Sequence, residues 1–196
     1  MKTLLTIAAL VIAVFVFALP ARAEGWYVSP TGGFLNATSS TFAYPYNTGF
    51  GTILLPGQIK YKNGYYTGAV WGYEWKYVKA ELETEFTDIG IRSVTVGGTP
   101  KQWGTHIGGF AAIGNLIYQY PIGRFTPYVG VGIGVQSEYS SSTAYQALAG
   151  LRYKIQKNLS LNVDYKIRRG DGYRYSGLQI SDPTARLLGI SLQWSF

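Results

Sequence analysis

The chain has 196 residues, of which 47% are hydrophobic, 16% aromatic and only 14% charged, with 25 glycines, no cysteine and one histidine. That length suits a single domain, and the missing cysteine excludes a disulfide framework, a thiolate nucleophile and a Cys-ligated zinc. A formal charge of +7 would suit a nucleic-acid binder, yet charged residues fall far below the roughly 25% of an ordinary soluble domain, so no nucleic-acid partner is expected. A mean hydropathy of +0.05 is too polar for a bundle of transmembrane helices.

Residues 1–23 read as a signal peptide. Lys2 gives a positive start, Leu4 to Ala18 form an almost unbroken apolar run, Pro20 breaks the helix, and Ala21-Arg22-Ala23 fits the small-x-small cleavage pattern. The run is short for a membrane anchor, which needs about 20 residues. Cleavage after Ala23 makes Glu24 the first mature residue and leaves one domain, 24–196. Loss of Lys2 and Arg22 lowers the formal charge from +7 to +5.

The mature part alternates with period two, the signature of strands. Eight segments carry it: about Trp26 to Leu35, Tyr65 to Glu74, Val78 to Asp88, about Thr105 to Gln119, Phe125 to Gln136, Tyr145 to Lys154, Leu159 to Arg168, and Arg186 to Phe196. In the third, Val78, Ala80, Leu82, Thr84 and Phe86 oppose Lys79, Glu81, Glu83 and Glu85. The register of the fourth is left open. Each segment is close to the 9–11 residues that a tilted membrane strand needs.

The connections alternate in length. Tight turns fall at Trp75-Lys76, Tyr120 to Arg124, and Ile155 to Asn158; longer polar links fall at about 36–64, 89–104, 137–144 and 169–185. Short turns on one rim and long loops on the other is the layout of an outer-membrane barrel. The expected fold is therefore all-β, an eight-stranded antiparallel transmembrane barrel with both termini on the short-turn rim.

Several stretches carry a family resemblance: Gly25-Trp26-Tyr27-Val28-Ser29, the run from Phe125 to Val135, Ala144 to Gly150, and Asn158 to Lys166. Together they resemble the opacity-protein/OmpA-type family of small eight-stranded outer-membrane barrels. The resemblance implies the outer membrane of a Gram-negative bacterium and a role as adhesin or structural protein. The last strand, with Ile190, Leu192, Trp194 and Phe196 on one face, also resembles the C-terminal signal read by the barrel-assembly machinery.

An eight-stranded barrel is just wide enough for side chains to fill it. The inward charges Glu74, Lys79, Glu81, Glu83 and Glu85 are expected to meet Arg152, Lys154, Asp164, Lys166 and Arg168, because isolated charges there would cost several kcal/mol each. The network reads as a plug that fixes strand register, or alternatively as the gate of a narrow pore. Gly130, Gly132 and Gly134 share one face and leave room for long side chains opposite; their spacing is wrong for a nucleotide loop. His106 lacks the His-x-Ser context of lipid A deacylases and is expected at the outer rim. Trp26, Trp71, Trp75, Trp194, Tyr73 and Tyr118 read as lipid-facing and girdle residues. The loops, with Lys60, Lys62, Arg169, Asp171, Arg174 and Asp182, are the candidates for contact with a host or glycan ligand.

The expected protein is a non-enzymatic, monomeric surface protein without catalytic residues, cofactor or metal, in contact with outer-membrane lipid and lipopolysaccharide. A narrow pore and a lipid A-modifying enzyme are the competing readings. Intact-mass analysis of protein purified from outer membranes should give a chain beginning at Glu24; a retained Met1 would refute the signal peptide.

Overall fold

The computed structural model describes residues 25–102, 104–137, 141–171, 173–175, 178–181 and 183–196, so the expected signal peptide and its cleavage residues Ala21, Ala23 and Glu24 lie outside the described residues. In chain order the strands are β1 (Gly25–Ala37), β2 (Ser40–Asn47), β3 (Thr52–Tyr61), β4 (Gly64–Glu74), β5 (Val78–Val96), β6 (Thr99–Gln102), β7 (His106–Gln119), β8 (Phe125–Ser137), β9 (Ser141–Lys154), β10 (Leu159–Gly170), β11 (Tyr173–Tyr175), β12 (Leu178–Ile180) and β13 (Thr184–Ser195).

Eight of them form a closed antiparallel barrel in the order β1-β4-β5-β7-β8-β9-β10-β13, and β13 pairs back onto β1. The closing seam runs from Tyr27↔Ser195 to Ala37↔Ala185. Following partners around the wall leads from Tyr27 through Gly72, Glu81, Asn115, Gly132, Gln146, Arg168 and Ala185, and returns to β1 at Ala37, ten residues farther along the strand. A stagger of that size on eight strands tilts each strand by about 40°. Because the stagger is even, the inward parity of every strand is preserved around the circuit.

The interior is tight. On β8, a Cβ at Gly132 would meet Asn115 and Ile113, and one at Gly134 would run into the backbone of Ala112 and Ile113 on β7. Inward tyrosines use the same space elsewhere: the Tyr128 ring covers Gly150, and Tyr27 covers Gly72. On β7 the inward side chains are Ile107, Ala111, Ile113, Asn115, Ile117 and Gln119. Both faces of that strand are largely apolar, which is why its register could not be read from alternation.

Three of the four long connections are not loops. Residues 36–64 hold the β2–β3 hairpin. β5 continues eight residues past Asp88 to Val96, turns through Gly97 (φ 58°) and Gly98 (φ 88°), and returns as β6. Positive φ at both central residues is the type I′ hairpin geometry that glycine permits without strain. β11 and β12 occupy part of 169–185. The link expected at 137–144 shortens, since β8 reaches Ser137 and β9 starts at Ser141. Backbone pairing above the barrel explains the extensions: β12 pairs with β2, β2 with β3, and β3 with the upper part of β5, forming a second sheet over the loop end.

Gly134→Val should sharply reduce the heat-modifiable, folded fraction of refolded protein on SDS gels. Gly114→Ala, where an added Cβ meets Ile133 O at an ordinary 3.7 Å, should fold like the parent.

Candidate functional site

Polar groups fill the barrel because alternate residues of every strand point inward. β5 lies four strands from β10, and β4 lies four from β9, so each pair occupies opposite walls of the eight-stranded cylinder. The acidic inner row of β5 thus faces the basic inner row of β10 across the diameter, and the ion pairs are cross-braces.

Two connected clusters result. In the one near the turn end, Arg152 Nη1 lies 2.5 Å from Glu74 Oε2, and Arg152 Nη2 donates to Gln119 Oε1 at 3.1 Å. Gln119 Nε2 and Gln193 Nε2 donate to the two Glu74 oxygens at 2.9 and 3.0 Å. Lys79 Nζ donates to Gln193 Oε1 at 3.0 Å and lies 3.5 Å from Glu81 Oε1, which also accepts from the Tyr27 hydroxyl. In the other cluster Lys166 bridges Glu83 and Glu85, the latter at 3.0 Å, with Asp164 at 3.7 Å. Arg168 Nη2 pairs with Glu85 Oε2 at 2.6 Å while its Nε donates to Gln146 Oε1 at 2.9 Å. Asn115 and Gln146 donate to Glu83 Oε2 at 3.0 and 2.8 Å. Glu85 is fully buried and Lys166 is 4% exposed, so each charge depends on these partners.

The structure therefore brings Glu74, Lys79, Glu81, Glu83, Glu85, Arg152, Asp164, Lys166 and Arg168 together inside the barrel. Lys154 does not join them. It is exposed at the end of β9, where the strand leaves the wall and water reaches the side chain. The neutral members Tyr27, Asn115, Gln119, Gln146 and Gln193 were missed by searching for charges alone; their inward parity was the signal that could have found them.

The two ends of the lumen differ. At the loop end Leu35, Tyr66, Ile89, Ile91, Ile107 and Leu187 pack into a buried apolar layer beneath the second sheet. At the turn end the lumen opens into a vestibule of about 370 Å³ lined by Lys76, Arg152, Lys154, Lys157, Thr126 and Ser160 among others. Between them lies a cavity of about 30 Å³ bordered by Ser29, Asn162 and Asp164, enough for ordered water.

The outer wall is apolar. Leu82, Leu116, Val129, Val131, Ile133, Val163, Ile167, Ile190 and Leu192 are all exposed there. Aromatics ring both edges. At the turn end Trp26 meets Tyr73 edge-on at 5.3 Å, Tyr73 meets Trp75 at 4.7 Å, and Phe125 meets Tyr153 at 5.1 Å. At the loop end Phe86 meets Phe110 at 5.2 Å. Trp71 and Tyr118 also face outward, as does the half-exposed Trp194. The C-terminal row of Ile190, Leu192, Trp194 and Phe196 lies on this face, and the Phe196 amide donates to Trp26 O at 3.0 Å beside the seam. His106 is exposed at the loop rim, with Nδ1 2.7 Å from Asp88 Oδ1; no serine or threonine hydroxyl is bonded to it among the described residues.

An apolar wall with aromatic girdles, a polar filled lumen and a closed eight-stranded wall define a membrane-spanning β-barrel. Residues 6–196 match the family described as the outer membrane protein beta-barrel domain, and the chain belongs to that family. No curated protein sequence matches it. Among solved structures it is similar to Neisserial surface protein A, with 15% identity over 91% of this chain and 100% of that one and a TM-score of 0.58. It is also similar to the outer membrane protein OprG from Pseudomonas aeruginosa, with 13% identity over 88% and 98% of the two chains and a TM-score of 0.63. The protein is an outer-membrane barrel of a Gram-negative bacterium; barrels of this kind turn their short connections to the periplasm.

Lys166→Met should lower unfolding stability in denaturant by about 3–5 kcal/mol, the cost of stranding buried carboxylates. A cycle with Glu83→Gln should recover more than about 1 kcal/mol of that loss.

Proposed function

We propose that the protein is a non-enzymatic surface barrel that contributes to envelope structure and binds extracellular ligands, in the manner of an adhesin, through its outer sheet. One observation carries this reading: the barrel raises a neutral, aromatic hairpin above a sealed lumen. No charged residue occurs between Gly25 and Ile59. On the β2–β3 hairpin Tyr44, Tyr46, Ile53 and Leu54 are exposed, and Phe50 at its tip is fully so. The turn is held by Thr48 N and Oγ1 donating to Gly51 O at 3.0 and 2.8 Å.

Such a surface is expensive to keep in water unless it is used. Charge depletion with tyrosine enrichment marks the core of protein interfaces, and exposed apolar patches mark binding sites. Lys60 and Lys62 sit at the root of the hairpin, away from the tip. The contact surface is therefore apolar and aromatic, and attraction to a polyanion is secondary to it. The cross-braced lumen under its apolar layer supports a plug over a pore. The C-terminal row Ile190, Leu192, Trp194 and Phe196 serves assembly in this reading, and the barrel works as a monomer.

Folded protein screened against host-matrix and glycan arrays should bind a ligand that is lost when residues 40–61 are replaced by a short turn. Phe50→Ser combined with Tyr46→Ser should weaken that binding at least tenfold. In planar bilayers the barrel should show no steady conductance; large stable channels would favour the pore. Lipid A mass spectra of cells carrying the parent or His106→Ala should be identical.

A further inference from the structure

The periplasmic mouth has a chemistry that the outer sheet does not explain. Above its vestibule the lumen is occupied by the ion-pair network, and an apolar layer packs at the far end. Lys76 comes from the β4–β5 turn, Lys154 from the end of β9, and Lys157 from the β9–β10 turn. None of these three lysines enters an ion pair among the described residues. Glu74 lines the same space, but its carboxylate is saturated by Arg152, Gln119 and Gln193. The mouth thus gathers three lysines without an ion-pair partner among the described residues around a concave space, with the chain's C-terminal carboxylate near its rim.

Its wall also offers hydroxyls. Thr126 is 5% exposed and Ser160 8% exposed; both line the vestibule, and neither hydroxyl bonds to another described residue. Thr126 stands directly opposite Arg152 in the β8–β9 pairing. Both hydroxyls reach the water of the vestibule, and a bound acceptor can take the place of that water.

We propose that the periplasmic vestibule is a binding site for a phosphate-class oxyanion, held by Lys76, Lys154 and Lys157 with the hydroxyls of Thr126 and Ser160. The donor set selects phosphate over carboxylate. A carboxylate is best gripped by the planar fork of an arginine, and the one arginine lining this space, Arg152, is committed to Glu74 and Gln119. Ammonium groups bind phosphate as point charges without a required plane. A tetrahedral anion has enough oxygens to accept from several lysines and a hydroxyl at once. The phosphate can arrive as a soluble ion of the periplasm or on a lipid headgroup, since the aromatic girdle of Trp26, Tyr73 and Trp75 places the rim at the level of the inner leaflet.

The test is amide NMR of the folded full-length mature barrel in dodecyl maltoside micelles, which contain no phosphate. One arm titrates inorganic phosphate; the other dopes the micelles with phosphatidylglycerol. Saturable shifts confined to the amides of Lys76, Thr126, Lys154 and Lys157 are expected in at least one arm, and the arm that responds identifies the source. Lys154→Gln with Lys157→Gln should weaken binding tenfold or more. Thr126→Val should weaken it at least threefold without changing the charge, and Thr126→Ser should restore it. Lys60→Gln with Lys62→Gln, an equal charge loss at the outer end, should leave binding unchanged. Heat-modifiable gel mobility verifies that each variant is folded. The proposal is overturned if neither arm gives saturable shifts, or if the outer pair weakens binding as much as the inner pair.

Discussion

Everything in this molecule depends on closing the sheet. In a bilayer no water reaches an unpaired backbone N–H or C=O, so a strand edge inside the membrane is not tolerated. The β1–β13 seam joins the two edges that the other seven barrel pairings leave, with the Phe196 amide on Trp26 O near one end and Ala37↔Ala185 at the other. Closure with a stagger of ten residues then sets the tilt and the narrow bore. It also decides which strands face each other across the lumen.

That geometry turns a charge pattern into a brace. Glu81, Glu83 and Glu85 stand on one wall; Asp164, Lys166 and Arg168 stand on the opposite one. A bore this narrow lets long side chains meet across its diameter, and Lys166 holds both Glu83 and Glu85. Gln119, Gln193, Gln146 and Asn115 add hydrogen bonds to Glu74 and Glu83 beyond their ion pairs, which helps to make buried charge tolerable. Glycines at 132, 134 and 150 supply the volume that these side chains and the inward tyrosines occupy. A one-residue slip in any strand would turn its inner row to lipid, so the network and the register enforce each other.

The two ends of the barrel face different tasks. The outer end carries an apolar layer, a second sheet grown from extensions of the barrel strands and an uncharged hairpin at its top. The inner end is wet and basic, with short turns and a vestibule. Both follow from the same alternation once water replaces lipid or lumen as the neighbour. Lys154 keeps inward parity but emerges from the wall, whereas Ile89 and Ile91 keep it under a covering sheet and become core.

The number of barrel strands, their approximate limits within the membrane, the outward apolar rows and the inward charges were legible in the sequence, because lipid on one side and a crowded lumen on the other impose a strict period of two. Two of the three tight turns were legible from Pro, Gly and Asn, at Tyr120 to Arg124 and Ile155 to Asn158. The register of β7 was not, since Ile107, Ala111, Ile113 and Ile117 face inward on a strand whose outer face is apolar as well. Nor were the outer hairpins, because β2, β3 and the upper part of β5 pair above the membrane, where no lipid enforces alternation. By itself the sequence determined that this chain is a membrane barrel with a charged interior. Only the tertiary structure decided which charges meet, that Lys154 stays outside, and that one end of the lumen is lined by an apolar layer while the other widens into a basic vestibule. Those outcomes depend on the stagger at closure and on contacts between residues more than a hundred positions apart, such as Lys79 with Gln193, and local periodicity carries no information about either.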